Sequence, residues 1–98
     1  MTTHPLLGTR LPIIQAPMAG AQDSKLALAV CKAGGLGSIP AAMLSPDALA
    51  AELRIMHEQA AGPWNVNFFC HRSPTPDAER EVAWRGALAP YYAELELD

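Results

Sequence analysis

Ala33-Gly34-Gly35-Leu36-Gly37-Ser38-Ile39-Pro40 is the stretch on which the fold turns. A helical pattern runs into it and a short β pattern leaves it. Upstream, Leu26, Ala27, Ala29, Val30 and Ala33 fit one helix face, with Asp23 and Ser24 both suited to cap its start. Gly34 stands where a left-handed C-terminal cap belongs, because a residue without Cβ adopts positive φ at little cost. Gly35 to Pro40 then reads as a strand. The glycines invite a phosphate-loop reading, but a dinucleotide loop follows a strand and opens a helix. Here the order is reversed, so capping and close packing are the expected roles.

The same alternation extends outward on both sides. Before the stretch, Leu11-Pro12-Ile13-Ile14-Gln15-Ala16 is a short apolar run with β-branched residues, read as a buried strand. Pro17, which has no N–H to donate, ends it. After the stretch, Ser45, Pro46 and Asp47 mark a helix start by cap, first-turn proline and favourable charge. Leu49, Leu53, Met56 and Ala60 share one face of that helix, and Gly62-Pro63 stops it. Trp64-Asn65-Val66-Asn67-Phe68-Phe69 reads as a third strand. A loop from Arg72 to Asp77 follows, with Thr75 expected as the next N-cap, then a helix over Ala78–Leu88. Pro90 is expected to interrupt it and to begin a further short turn through Tyr91 and Tyr92. The order β-α-β-α-β-loop-α implies parallel strands joined by crossover helices, an α/β fold.

Composition narrows the function classes. The chain has 98 residues, 50% hydrophobic and 17% charged, with a formal net charge of −3. That length gives one domain at most, and the balance suits a core-forming piece rather than a disordered one. With no basic stripe, nucleic acid is not an expected partner. No apolar run reaches the roughly 20 residues of a membrane span, and no secretory signal precedes Pro5. Cys31 and Cys70 form no CxxC pair and no histidine pair has metal-ligand spacing, so no metal site is expected. Free thiols and a cytoplasmic location are the plain reading.

Three strands do not complete a parallel fold. A closed eight-stranded barrel takes about 250 residues, and an open three-stranded sheet leaves two unprotected edges. The expectation is therefore a partial domain over residues 1–98, either an N-terminal portion or a unit completed by self-association.

In parallel α/β folds ligands sit at the carboxyl ends of strands. Three stretches qualify: Ala16-Pro17-Met18-Ala19-Gly20, Ser38-Ile39-Pro40-Ala41 and Asn67-Phe68-Phe69-Cys70-His71. Taken in register, Pro12-Ile13-Ile14-Gln15-Ala16-Pro17-Met18-Ala19-Gly20, Ala33-Gly34-Gly35-Leu36-Gly37-Ser38 and Asn65-Val66-Asn67-Phe68-Phe69 resemble the nitronate monooxygenases, formerly called 2-nitropropane dioxygenases. The run from Val66 to His71, with Ala83-Trp84-Arg85 and Ala89-Pro90-Tyr91-Tyr92, is similar to a bacterial branch of that family. The resemblance covers nearly the whole chain from Leu11 onward.

It implies the opening β/α units of a TIM-type (β/α)8 barrel with FMN at its mouth, incomplete in this chain. It also implies an oxidoreductase that converts an alkyl nitronate and molecular oxygen into a carbonyl compound and nitrite. Ala16, Pro17 and Met18 match the segment along the flavin ring, and Asn67 matches a flavin-contacting asparagine. On residue type alone, Ala16-Pro17-Met18 reads equally as a strand exit, and Asn67 as a strand-end amide bonding local backbone. No catalytic residue is assigned: the family's catalytic histidine corresponds to no position up to Asp98, and its role is not carried to His71. Trp64 and Trp84 are expected as packing aromatics and Cys31 as a small core residue. Two other readings stand beside this one. One is an FMN-dependent enoyl-acyl-carrier-protein reductase, which would consume NAD(P)H. The other is a non-catalytic truncated or assembling half-barrel.

Overall fold

A computed structural model describes residues 3–97. Helix α1 spans Ser24–Ala33, strand β1 Gly37–Pro40, helix α2 Pro46–Gln59, strand β2 Trp64–Asn67 and helix α3 Ala78–Glu94. β1 and β2 pair in parallel, Gly37 opposite Trp64 through Pro40 opposite Asn67. The β1–α2–β2 segment is thus the parallel β-α-β unit that the alternation implies.

The expected strand over Leu11–Ala16 is reduced to one parallel bridge, Ile14 with Leu36. Its backbone nevertheless runs along β1: Leu36 N–H donates to Ile13 C=O at 2.8 Å and Gln15 N–H to Leu36 C=O at 2.9 Å. The ladder then stops because side chains enter it. Ser38 N–H donates to the Gln15 side-chain oxygen at 3.0 Å, and the Ser38 hydroxyl donates to Gln15 C=O at 2.8 Å. The third strand likewise ends at Asn67, leaving Phe68 and Phe69 exposed beyond it.

Both helices facing the sheet begin as read. Asp23 caps α1, its side chain accepting from Lys25 N–H, and Ser45 caps α2, accepting from Ala48 N–H. Ser24, also suited to capping, is instead the first helical residue, and its N–H donates to the Glu52 carboxylate at 2.7 Å. A carboxylate from α2 therefore completes the N-terminus of α1, where the helix dipole favours negative charge. At the other end Gly34 takes φ 101°, and the N–H groups of Gly34 and Gly35 return to Val30 C=O, a Schellman-type close.

The core lies between α1, α2 and the helix-facing side of the sheet. Ala27, Cys31, Ile39 and Met56 are buried, with Leu28, Leu49, Ala60 and Trp64 packed against them. Burying a side chain the size of Ile39 or Met56 contributes about 1.5–3 kcal/mol. Gly37 is what lets α1 lie so close: a Cβ there would stand 2.3 Å from Ala27 C=O.

α3 departs from expectation in three respects. Its N-cap is Asp77, not Thr75; the Asp77 carboxylate accepts from Arg80 N–H at 3.1 Å, combining a cap bond with charge at the positive helix end. The helix also runs through Pro90 to Glu94 rather than breaking there. A proline ring fixes φ near the helical value and removes a single N–H bond, and an exposed helix has room to bend around the ring. Third, α3 carries no buried residue, and Trp84 is 64% exposed instead of packed. The radius of gyration is accordingly 19.5 Å, against about 13 Å for a compact chain of this length.

Candidate functional site at the strand ends

The carboxyl ends of the three strand segments are tied together by amides and one hydroxyl. From Ser38, two bonds run to Gln15, and the Asn65 side chain donates to the Ser38 hydroxyl at 3.2 Å. This brings the Ala16-Pro17-Met18 exit, the end of β1 and the Asn65–Asn67 end of β2 to one rim. Gln22, in the turn before α1, joins the same set. Its side-chain oxygen accepts from Gln15 Nε2 at 2.6 Å and from Met18 N–H at 2.9 Å. Its side-chain nitrogen donates to Ser38 C=O at 2.9 Å.

Among the residues expected to line a ligand, Ala16 is exposed, Pro17 half-buried and Met18 44% exposed. Met18 C=O accepts from Ala21 N–H and Met18 N–H is held by Gln22. Among the described residues, Ala16 N–H and Pro17 C=O have no intramolecular partner. Asn67 is half-buried; its C=O accepts from Ala41 N–H at 2.9 Å, and its side-chain amide has no partner among the described residues. The local-backbone reading of Asn67 therefore does not describe its side chain here. The rim thus presents one free N–H donor, one free C=O acceptor, an amide that can do both and an apolar thioether.

The Gly-rich run does not offer a phosphate cradle, since Gly37 faces Ala27 C=O and the Cys31 sulfur. His71 is exposed, its ring 5.3 Å from that of Phe69 at 41°, and Cys70 is exposed while Cys31 is buried. Among the described residues no cluster of histidine, cysteine or carboxylates could hold a metal ion. A concavity of about 640 Å³ lies between Pro74–Asp77 and the first turns of α3, lined by no residue of the strand ends. A smaller one of about 440 Å³ is lined by Gly20, Ala21, Gln22 and Lys25, beside Met18. Position decides in favour of the strand ends, where parallel α/β folds bind ligands.

Comparison with known proteins carries the assignment further. The profile of the family described as nitronate monooxygenase matches residues 2–97. The chain belongs to the nitronate monooxygenase family. A nitronate monooxygenase from Paraburkholderia phytofirmans is 46% identical over 88 residues, which are 90% of this chain and 24% of that protein. Another from Pseudomonas aeruginosa is 46% identical over 90 residues, 92% of this chain and 26% of that one. Among solved structures, nitroalkane oxidase from Streptomyces ansochromogenes superposes with a TM-score of 0.68 at 35% identity, covering 92% of this chain and 25% of that one. The chain thus spans about a quarter of the length of these nitronate monooxygenase relatives. No helix among the described residues is long and apolar enough to cross a membrane.

Gln22 and the role of Ser38 went unread in the sequence. Gln22 sits between a turn and a helix cap with no pattern around it, and Ser38 stood out only as part of a strand end. Their importance comes from contacts across 16 and 23 residues of chain, which local spacing does not encode.

Proposed function

We propose that this chain forms the opening β/α units of a TIM-type (β/α)8 barrel with FMN at its mouth. The reaction it serves is oxidative denitrification of alkyl nitronates. The observation that supports this most directly is the set of unpartnered groups at the rim: Ala16 N–H, Pro17 C=O and the Asn67 amide. Uncovered apolar side chains fit the same reading, since Ile13 and Ile14 are 55% and 57% exposed, as residues awaiting further packed elements would be. In the barrel the rim groups hold and orient the ring edge, and Met18 supplies an apolar contact. FMN, when bound, supplies the redox chemistry by which a nitronate and molecular oxygen yield a carbonyl compound and nitrite. The residues of this chain bind and position; none is assigned to proton transfer.

The test is a fluorescence titration of FMN with the purified chain, followed by nitrite and NAD(P)H assays on any flavin-loaded species. Saturable quenching at one FMN per chain, with nitrite as the product wherever turnover is seen, is expected. NAD(P)H oxidation without nitrite would replace the reading with a reductase, and no quenching would remove the cofactor site from these residues.

A further inference from the structure

We infer that Gln22 is a positioning residue that fixes the Ala16-Pro17-Met18 backbone against β1, and so sets the rim to which FMN would bind; the flavin part of this rests on the proposed function. The argument starts from proline chemistry. Along the parallel ladder, Gln15 N–H bonds Leu36 C=O, so the next donor to β1 would be the residue at position 17, facing Ser38 C=O. Position 17 is Pro17, which has no N–H. Ser38 is fully buried, and a buried carbonyl without a partner is costly. The Gln22 side-chain nitrogen supplies that missing donor at 2.9 Å.

The other end of the same amide takes Met18 N–H at 2.9 Å and Gln15 Nε2 at 2.6 Å. Its orientation is fixed by its neighbours. Ser38 N–H points to the Gln15 oxygen, which leaves Gln15 Nε2 as the donor toward Gln22. The Gln22 oxygen therefore faces two N–H groups and its nitrogen faces two carbonyls, those of Ser38 and Asp23. A flipped amide would set donors against donors. Gln22 thus both replaces the proline's missing bond and clamps the residue after it, fixing the backbone on either side of Pro17.

Amide hydrogen exchange by NMR on the full chain tests this, with FMN titration on the same samples. Gln22→Met keeps the volume but loses both bonding ends; Gln22→Glu keeps the acceptor for Met18 N–H. In Gln22→Met, exchange at Met18 should accelerate about tenfold while Leu36, bonded to Ile13, stays within about threefold, and FMN affinity should fall about tenfold. Gln22→Glu should restore Met18 protection but only part of the affinity, since a carboxylate offers Ser38 C=O no donor. Unchanged Met18 exchange in Gln22→Met overturns the inference, as does faster exchange with unchanged FMN affinity. If Gln22→Met also exposes Leu36, Gln22→Glu decides: loss of Met18 protection there, with Leu36 protected, overturns it. A parent chain that binds no FMN counts against the proposed function, and Met18 exchange alone then decides for or against the clamp.

Discussion

Gly37→Ala is the substitution for which the structure sets the largest effect. The added Cβ would stand 2.3 Å from Ala27 C=O and 2.9 Å from both the Ala27 carbonyl carbon and the Cys31 sulfur. Two of these are backbone atoms within α1, so no rotamer change relieves the clash. α1 would have to retreat from β1 by about 1 Å to restore an ordinary carbon–oxygen contact. That retreat opens the contacts of Ala27 and Cys31 with Ile39, the centre of the core. Overpacking a tight core typically costs about 1–3 kcal/mol, and a clash with helix backbone belongs at or above the top of that range. A complete domain has a total stability of about 5–15 kcal/mol and this open chain falls below that, so the loss is a large share of what it has. Urea unfolding followed by far-ultraviolet circular dichroism measures it, with Gly62→Ala as the control, since nothing lies within 4 Å of a Cβ there. The control should stay within about 0.5 kcal/mol of the parent. A Gly37→Ala midpoint corresponding to less than about 1 kcal/mol of destabilisation would refute the close-packing role assigned to this glycine.

Other consequences are open to measurement. Glu52→Ala removes the carboxylate bonded to Ser24 N–H and should destabilise the chain by about 1.5–3 kcal/mol, with Glu52→Gln recovering part of it in the same urea assay. Cys70 is exposed and Cys31 buried, so a thiol reagent should modify one cysteine rapidly and the second only as the core opens; two fast thiols would contradict the packing of α1. Asn67→Ala should weaken FMN binding about tenfold by removing the free rim amide, while leaving the unfolding midpoint nearly unchanged; equal affinity would take Asn67 out of the site.

The helices facing the sheet were legible because their signals are local. Asp23, Ser45 and Gly34 act at their own positions, and the apolar spacing of Leu49, Met56 and Ala60 points one face at the core. The strands were legible in existence but not in extent. β propensity in Leu11–Ala16 says nothing about Gln15 and Ser38 giving up ladder bonds for side-chain bonds, which is why a six-residue expectation becomes a single bridge. At α3, Thr75 and Pro76 imitate a helix start, yet the carboxylate of Asp77 two residues on takes the cap. Trp84 misled for a related reason: apolarity predicts burial only where another element is present to cover the side chain.

The site divides along the same line. Ala16, Pro17, Met18 and Asn67 could be named from a pattern of short motifs in register, but the pattern does not say which of their atoms are free. Met18 lies in the segment proposed to face the flavin ring, yet its N–H is already engaged by Gln22, so the thioether is the part left to face a ligand. Pro17 contributes by what it lacks. Without an N–H it leaves no backbone donor for Ser38 C=O, and that demand falls on Gln22. That shift draws the turn before α1 toward the strand end. The rim groups are available to a ligand because the β ladder is ended deliberately early, and the amides that end it also hold the rim in place.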